Sequence, residues 1–343
     1  MNNTNISLFI NSLLPKLENK TIFLTGGTGF FGRSFLEFIL GINSVHNLKL
    51  KIYVLARDPE KFKKQYPELA PDYVTFQKGD IVNFEFLDIE VNYIFHFATP
   101  ASATMNIENP LGMFDNIVDG SRRILDFAVK SKCEKFLLTS SGAVYGKQPT
   151  ELTHIPESYM AAPTTQNSHS AYGEGKRVAE LMGNIYSDKY GFEHKIARCF
   201  AFVGPHIDAN GTFAIGNFIR NAVQGKAISI GGDGTPFRSY LYSSDLIVWL
   251  LTILLNGKNK QPYNVGSDDD LSILDLAKKV TQLVNPSLQI EIAKKALDLS
   301  RPDRYVPNVS LAKNELGLCV WTSLEDSIIK TAAAYKLLLK DKN

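Results

Sequence analysis

Tyr172 and Lys176 stand four residues apart in Tyr172–Gly173–Glu174–Gly175–Lys176, a spacing that sets both on one face of a helix. An ordinary phenol titrates near about 10 and is a poor base at neutral pH. A lysine ammonium one turn away would stabilise the phenolate and lower that value. Such a tyrosine can take the proton of a hydroxyl while a hydride leaves its carbon, or return it in the reverse direction. A second hydroxyl stands in Ser140–Ser141–Gly142–Ala143–Val144–Tyr145–Gly146. Taken alone, Tyr and Lys at this spacing are also an ordinary surface pair, so the elements that carry them decide.

Those elements alternate. Strands are expected over Thr21–Leu24, Lys51–Ala56, Val74–Gln77, Tyr93–Phe97, Lys135–Thr139 and His194–Cys199, with helices over Arg33–Leu40, Met113–Ser131 and Ala171–Tyr190. Apolar, β-branched and aromatic runs each followed by a helix predict a parallel sheet of right-handed βαβ units. Ser141 then falls at the carboxyl edge of that sheet. The first strand runs into Thr25–Gly26–Gly27–Thr28–Gly29–Phe30–Phe31–Gly32. Glycines at 26, 29 and 32 permit a tight turn, close approach to a pyrophosphate and tight packing of helix on strand. The helix that opens there offers free N–H groups and a positive dipole end. A glycine stretch in this context predicts dinucleotide binding through Gly26, Gly29, Phe30, Phe31 and Gly32. The positive nicotinamide would also help to stabilise a Tyr172 phenolate.

The second strand should end on the residue that discriminates the ribose. The chain has Leu55–Ala56–Arg57–Asp58–Pro59 there. With Ala56 in the place of the usual acid, Arg57 clamps a 2′-phosphate and the cofactor is NADP. In a register shifted by one or two residues, Asp58 holds the hydroxyls of NAD, and both side chains also suit a solvated turn. Asp80, followed by Ile81, is placed to meet the adenine.

The 343 residues correspond to roughly two domains at about 150 residues each. With 44% hydrophobic residues and a formal charge of +2, the chain has a real core to bury. It presents no electrostatic case for nucleic acid or an anionic membrane. The apolar run Leu246–Leu255 is about half the roughly 20 residues of a spanning helix, so a buried helix is expected. The first 20 residues carry no basic region or cleavage site and predict a short helix ahead of the first strand. Three distant cysteines, Cys133, Cys199 and Cys319, argue against a disulfide framework and a thiolate metal site, and for a reduced, cytoplasmic protein. No metal is expected. Later in the chain come a turn cluster at Gly231–Pro236, a polar connector at Asn256–Pro262, and helices over Leu271–Val284 and Leu324–Leu339.

The segments TGGTGFFG, SSGAVYG and YGEGK, in that order and spacing, resemble the extended short-chain dehydrogenase/reductases that modify nucleotide-diphosphate sugars. The resemblance covers about residues 20 to 330. It implies a Rossmann-type doubly wound parallel sheet with a smaller C-terminal α/β substrate-binding domain. The expected division is 1–204, with a return segment at about 240–265, against 205–239 and 266–343. It implies Tyr172 as acid and base, Lys176 on the cofactor ribose, Ser141 bonded to the reacting hydroxyl, and a homodimer. Tyr172 to Glu180 is especially similar to UDP-glucuronate decarboxylases, as is Ala98–Thr99–Pro100–Ala101–Ser102. These imply Ala98 and Thr99 at the cofactor and Ser102 at the substrate. Arg238, in Gly232–Tyr240, and Arg301, in Arg301–Arg304, are similar to arginines that meet the nucleotide phosphates, a task suited to planar guanidinium. Asn217 and His169 are further substrate-pocket candidates.

Two departures bear on the reaction. The 4,6-dehydratases of this group carry an Asp–Glu pair where this chain has Gly142–Ala143, and the decarboxylases carry Glu where Ala143 stands. Neither glycine nor alanine transfers a proton. The remaining Ser141, Tyr172 and Lys176 suffice for hydride transfer at one carbinol, which fits a 4-ketoreductase or a 4-epimerase. A dehydratase would need Glu174 or another residue to replace the missing acid. The second departure is Ala201, where the group has an asparagine that contacts the substrate phosphate. A non-catalytic dinucleotide sensor on the same fold would have no need of Ser141, Tyr172 and Lys176 together.

Overall fold

The computed structural model describes residues 3–99, 103–208, 211, 213–295 and 302–340. Ser102 and Arg301 lie outside the described residues. The first part of the chain runs α1 (Asn3–Leu13), β1 (Thr21–Thr25), α2 (Phe30–His46), β2 (Lys51–Ala56), α3 (Pro59–Gln65) and β3 (Val74–Lys78). It continues through β4 (Tyr93–His96), α4 (Ala103–Glu108), α5 (Pro110–Lys130), β5 (Lys135–Ser141), α6 (Ala171–Tyr190) and β6 (Glu193–Cys199). Next come β7 (Phe202–Val203), α7 (Ala214–Val223), β8 (Ile228–Ile230), β9 (Phe237–Ser239), β10 (Leu241–Tyr242) and α8 (Ser243–Asn256). The last elements are β11 (Pro262–Val265), β12 (Asp270–Ser272), α9 (Ile273–Val284), β13 (Ile290–Ile292), β14 (Arg304–Tyr305), α10 (Ser310–Leu316) and α11 (Leu324–Lys340).

Seven strands form one parallel sheet in the order β11-β6-β5-β4-β1-β2-β3. Alternate residues of β1 serve opposite faces, as a period of two requires. Ile22 and Leu24 join one core with Phe35 and Ile39 of α2 and the apolar length of α8. Phe23 joins the other, with Ile117 and Ile124 of α5 and Ala179 and Met182 of α6. Burial on both faces accounts for the continuous apolar runs seen in the sequence. Leu246 to Leu255 is a wholly buried helix within α8. Among the described residues no helix is long and apolar enough to cross a membrane.

The strand order reverses about β1, so a crevice opens outside the carboxyl ends of β1 and β4, where such sheets bind ligands. A third core, with Ile215 of α7, Leu276 of α9 and Ile328 of α11, lies under the later elements. Three small sheets accompany it: β7 with β10, β8 with β13, and β9 between β12 and β14. These strands are two or three residues long and carry no readable alternation, so the pattern along the chain did not mark them. α1 lies against α8, and Phe9 meets Trp321 at 5.3 Å between ring centroids.

Two boundaries matter for the site. α2 begins at Phe30, three residues earlier than the apolar pattern alone suggests, so it opens directly on the glycine loop. β5 continues to Ser141, two residues beyond the expected end. The Ser141 backbone is therefore held in the sheet, opposite Cys199 of β6.

Candidate active site

Gly26, at φ +70°, turns the chain out of β1. A Cβ there would stand 2.6 Å from the Ala98 nitrogen, and one at Gly32 would stand 2.2 Å from the Gly27 Cα. Only glycine lets the loop lie against the end of β4 and the helix against the loop. No side chain caps the N-terminus of α2, which leaves its N–H groups for an anion. The neighbouring backbone is held from below. Ala98 N donates to Thr25 Oγ1 at 3.1 Å, and Thr25 Oγ1 lies 2.8 Å from His96 Nδ1. Burial lowers the His96 pKa to about 3, so the ring is neutral.

Lys176 projects from α6 into the interior, 2% exposed. Its ammonium donates to Thr99 Oγ1 at 2.6 Å and to the Thr139 carbonyl at 2.7 Å. Burial lowers its pKa to about 8. An ammonium has three donors, so among the described residues one remains for a group in the cavity. Tyr172, one turn earlier on α6, lines the same cavity as Ser141. Burial raises its hydroxyl above the ordinary phenol range, and the nearby Ser141 hydroxyl pulls the other way. Ser141 Oγ accepts from Ala143 N at 3.1 Å and lies 3.3 Å from the Tyr305 hydroxyl.

These groups line a cavity of about 570 Å³. Gly26, Gly29, Phe30, Phe31 and Thr99 form one end; Ser141, Ala143, Tyr172, Lys176 and Tyr305 surround the centre. Phe200, Ala201, Phe202, Asp208 and Phe213 cover it from the later part of the chain. A second cavity of about 630 Å³ shares Asn106, Ala143, Tyr172 and Tyr305 with the first and reaches His169. The glycine cradle, the open helix end and the unfilled lysine donor fit a dinucleotide.

Other expected residues stand elsewhere. Arg57 is exposed just past the end of β2, while the Asp58 carboxylate caps α3 by accepting from Lys61 N at 3.1 Å. Asp80 Oδ1 accepts from Val82 N at 3.2 Å, a turn contact, and Ile81 packs against Gly120. Arg238 donates to the Phe237 carbonyl at 2.7 Å, with its guanidinium carbon 5.9 Å from the Tyr305 ring centroid. Asn217 lies on α7 and, like Arg238, is not part of either cavity wall. Glu174 pairs with Arg177 at 3.6 Å and is likewise absent from both walls.

Several residues of the site carried no motif. Asn106 Oδ1 accepts from Tyr172 N at 3.1 Å while its Nδ2 donates to the His169 carbonyl at 2.6 Å, which pins the start of α6. Behind Ser141, Glu180 accepts from Ser140 Oγ at 2.5 Å and from Arg198 Nε and Nη2 at 3.0 and 2.7 Å. The Arg198 guanidinium lies 4.8 Å from the Tyr145 ring centroid. Tyr305 reaches the site from β14. Nothing local in the sequence joins it to Ser141.

Comparison with known proteins settles the family. The model of the NAD dependent epimerase/dehydratase family matches residues 22–266. The chain belongs to this family. Its members are NAD-dependent enzymes of the extended short-chain dehydrogenase/reductase type. Among relatives, UDP-glucuronic acid decarboxylase 3 of Arabidopsis thaliana is 31% identical over 303 residues, covering 87% of this chain and 84% of that protein. UDP-glucuronic acid decarboxylase 1 of Xenopus tropicalis is 29% identical over 321 residues, 93% and 72% of the two chains. The UDP-N-acetylglucosamine 4-epimerase of Methanobrevibacter ruminantium superposes with a TM-score of 0.80 at 20% identity, over 94% of this chain and 99% of that one. The UDP-glucuronic acid 4-epimerase of Bacillus cereus, solved with UDP-glucuronic acid and NAD, gives 0.76 at 22% identity, over 93% and 99%. At such identities the two superpositions speak for the epimerase/dehydratase fold alone.

Proposed function

We propose that this enzyme moves a hydride to or from C4 of a nucleotide-diphosphate sugar, as a 4-ketoreductase or a 4-epimerase. One observation carries the reading. Ser141, Tyr172 and Lys176 converge on a single cavity whose wall, at the end of β5, offers only Ala143 where a carboxylate would be needed for further proton transfer. A bound nicotinamide dinucleotide supplies the hydride acceptor or donor. Tyr172 exchanges the proton of the sugar hydroxyl, Ser141 donates to the same oxygen, and Lys176 holds the ribose and offsets charge on the phenolate. Gly26, Gly29, Phe30, Phe31, Gly32, Ala98 and Thr99 cradle the dinucleotide, with Asp80 and Ile81 towards the adenine. Ser102, His169, Asn217, Arg238 and Arg301 are the candidates for the nucleotide and sugar.

Arg57, exposed at the end of β2 beside an aspartate engaged in capping, supports NADP over NAD within an NAD-dependent family. Exposed apolar side chains on the paired helices α5 and α6, Leu111 at 70%, Leu181 at 60% and Ile185 at 53%, support a homodimer through these helices. Free Cys133, Cys199 and Cys319 are in keeping with the cytoplasm. The distinct core beneath α7, α9 and α11 supports a substrate-binding unit formed by 205–239 and 266–343.

Similarity to UDP-glucuronic acid decarboxylases favours one second reading, decarboxylation of a nucleotide-linked uronic acid, with Ala143 against it. A panel of UDP-glucose, UDP-glucuronic acid and a UDP-4-keto sugar, with each oxidised and reduced dinucleotide, distinguishes the readings by NMR of the products. Consumption of NADPH supports the reductase, inversion without net redox the epimerase, and loss of CO2 the decarboxylase. Tyr172→Phe should lower turnover by about 10³-fold while dinucleotide still binds. Full activity in that variant would exclude the mechanism.

A further inference from the structure

Tyr305 occupies the space that the glycine of Gly142–Ala143 leaves open. A Cβ at residue 142 would stand 2.8 Å from the Tyr305 hydroxyl and 2.7 Å from the Phe200 ring. The Tyr305 ring lies on that of Phe200, centroids 4.7 Å apart at 37°. Its backbone is fixed on both sides: Tyr305 pairs with Arg238 of β9, and Val306 N donates to Gln148 Oε1 at 3.0 Å. A phenol from β14 is thus delivered beside the serine at the end of β5.

The hydrogen-bond inventory of Ser141 gives this phenol a task. A serine hydroxyl has one proton to give and two lone pairs to fill. Ala143 N–H fills one lone pair at 3.1 Å. Tyr172 and Tyr305 both line the cavity with Ser141. When Tyr172 is the phenolate it can only accept, so it takes the single Ser141 proton. The remaining lone pair then accepts from Tyr305 at 3.3 Å, nearer than the Cys199 carbonyl at 3.5 Å, the other acceptor open to that phenol. Such contacts commonly shorten once substrate is bound.

We infer that Tyr305 is a positioning residue: by donating to Ser141 Oγ it fills the second serine lone pair and leaves the one serine proton to point into the cavity, towards Tyr172 or, once substrate is bound, the reacting oxygen. Burial and the neighbouring Tyr172 raise the Tyr305 hydroxyl far above the ordinary phenol range, so it keeps its proton. The titratable and charged groups facing this chain are Tyr172 and Lys176 from α6, Cys199 from β6 and Arg238 from β9, with Asp208 and His169 at the cavity walls. The inference rests on the reading of Tyr172 as the proton-transfer group.

The test titrates the Tyr172 phenolate by ultraviolet difference in protein saturated with NAD, each sample being compared with its own Tyr172→Phe counterpart. Tyr305→Phe, which removes one oxygen and keeps the ring, should raise the midpoint by about half a pH unit, the value of one net hydrogen bond. Ser141→Ala should raise it at least as far, and Tyr305→Phe should add nothing in the Ser141→Ala background. An unchanged midpoint in Tyr305→Phe, or an equal increment when Ser141 is already absent, overturns the inference. Kinetics supply a second measurement on whichever sugar is converted: kcat should fall roughly tenfold with KM within about threefold, again only while Ser141 is present. Equal losses in both backgrounds count against the inference. The titration needs no turnover. A shifted midpoint in a protein that converts no nucleotide sugar would sink the functional reading and leave the hydrogen-bond chain standing.

Discussion

The floor and the roof of the cavity are built on different principles. The floor is the carboxyl edge of β1, β4, β5 and β6 with the start of α6, and its groups are held by hydrogen-bond partners: Lys176 by Thr99 and Thr139, Ser140 by Glu180, Glu180 by Arg198. The roof is Phe200, Phe202 of the short strand β7, Phe213 and Tyr305 of the short strand β14, and it is rich in aromatic rings, with Phe200 against Tyr305 and Phe202 against Phe31. A proton moves efficiently only between groups held within hydrogen-bond reach, and the candidate groups stand on regular elements, Ser141 at the end of β5 and Tyr172 and Lys176 in the first turns of α6. Apolar walls set shape and tolerate variation. Of the departures, Ala143 and Ala201 line the cavity, and Gly142 lies against Phe200 and Tyr305.

If the contrast holds, truncation should separate the two regions. Glu180→Ala leaves the Arg198 guanidinium partly buried and unpaired, which costs on the order of 3 kcal/mol. Urea unfolding should show that loss, whereas Phe213→Ala, at a side chain 51% exposed, should cost under about 1 kcal/mol. Comparable losses at both positions would break the comparison.

A smaller effect comes from pH. Lys176 titrates near about 8 in the folded protein and near about 10.4 when unfolded. Because its folded value is depressed, the unfolded chain binds more protons between those values, and stability rises with pH across the window. Relative to Lys176→Met, the wild type should gain roughly 1–2 kcal/mol between about pH 8 and 9.5, and lose it again as pH falls through 8. A flat difference would show that the ammonium is not held at the cost of its charge.

The smallest effect concerns Arg57, which is exposed and outside the locked floor. Arg57→Ala should weaken NADP about tenfold, near 1.4 kcal/mol, and leave NAD affinity and unfolding unchanged. Equal losses for both dinucleotides would remove Arg57 from the 2′-phosphate.

The parallel sheet, the glycine loop and the Tyr–Lys pair were legible along the chain. Each rests on a local cause: residues buried on both faces produce apolar runs, a pyrophosphate cradle demands glycines in sequence, and one helical turn separates Tyr172 from Lys176. β2 and α6 fall on their expected bounds. The strands of the roof were not legible, because two or three residues show no period. Asp58 illustrates the limit within a motif, since the same residue type that could hold a ribose instead starts a helix. Asn106 and the Glu180–Arg198 pair join elements distant along the chain, and no local pattern records such a meeting.

What the sequence determined by itself is the order of strands and helices, and which residue types stand at each strand end, because propensity, periodicity and turn chemistry act over a few neighbours. What only the tertiary structure decided is which distant groups share a cavity. Tyr305 reaches Ser141 because β14 pairs with β9 and residue 142 has no side chain. The hydrogen bonds left open at the end of β5 are therefore completed by a strand formed near the end of the chain.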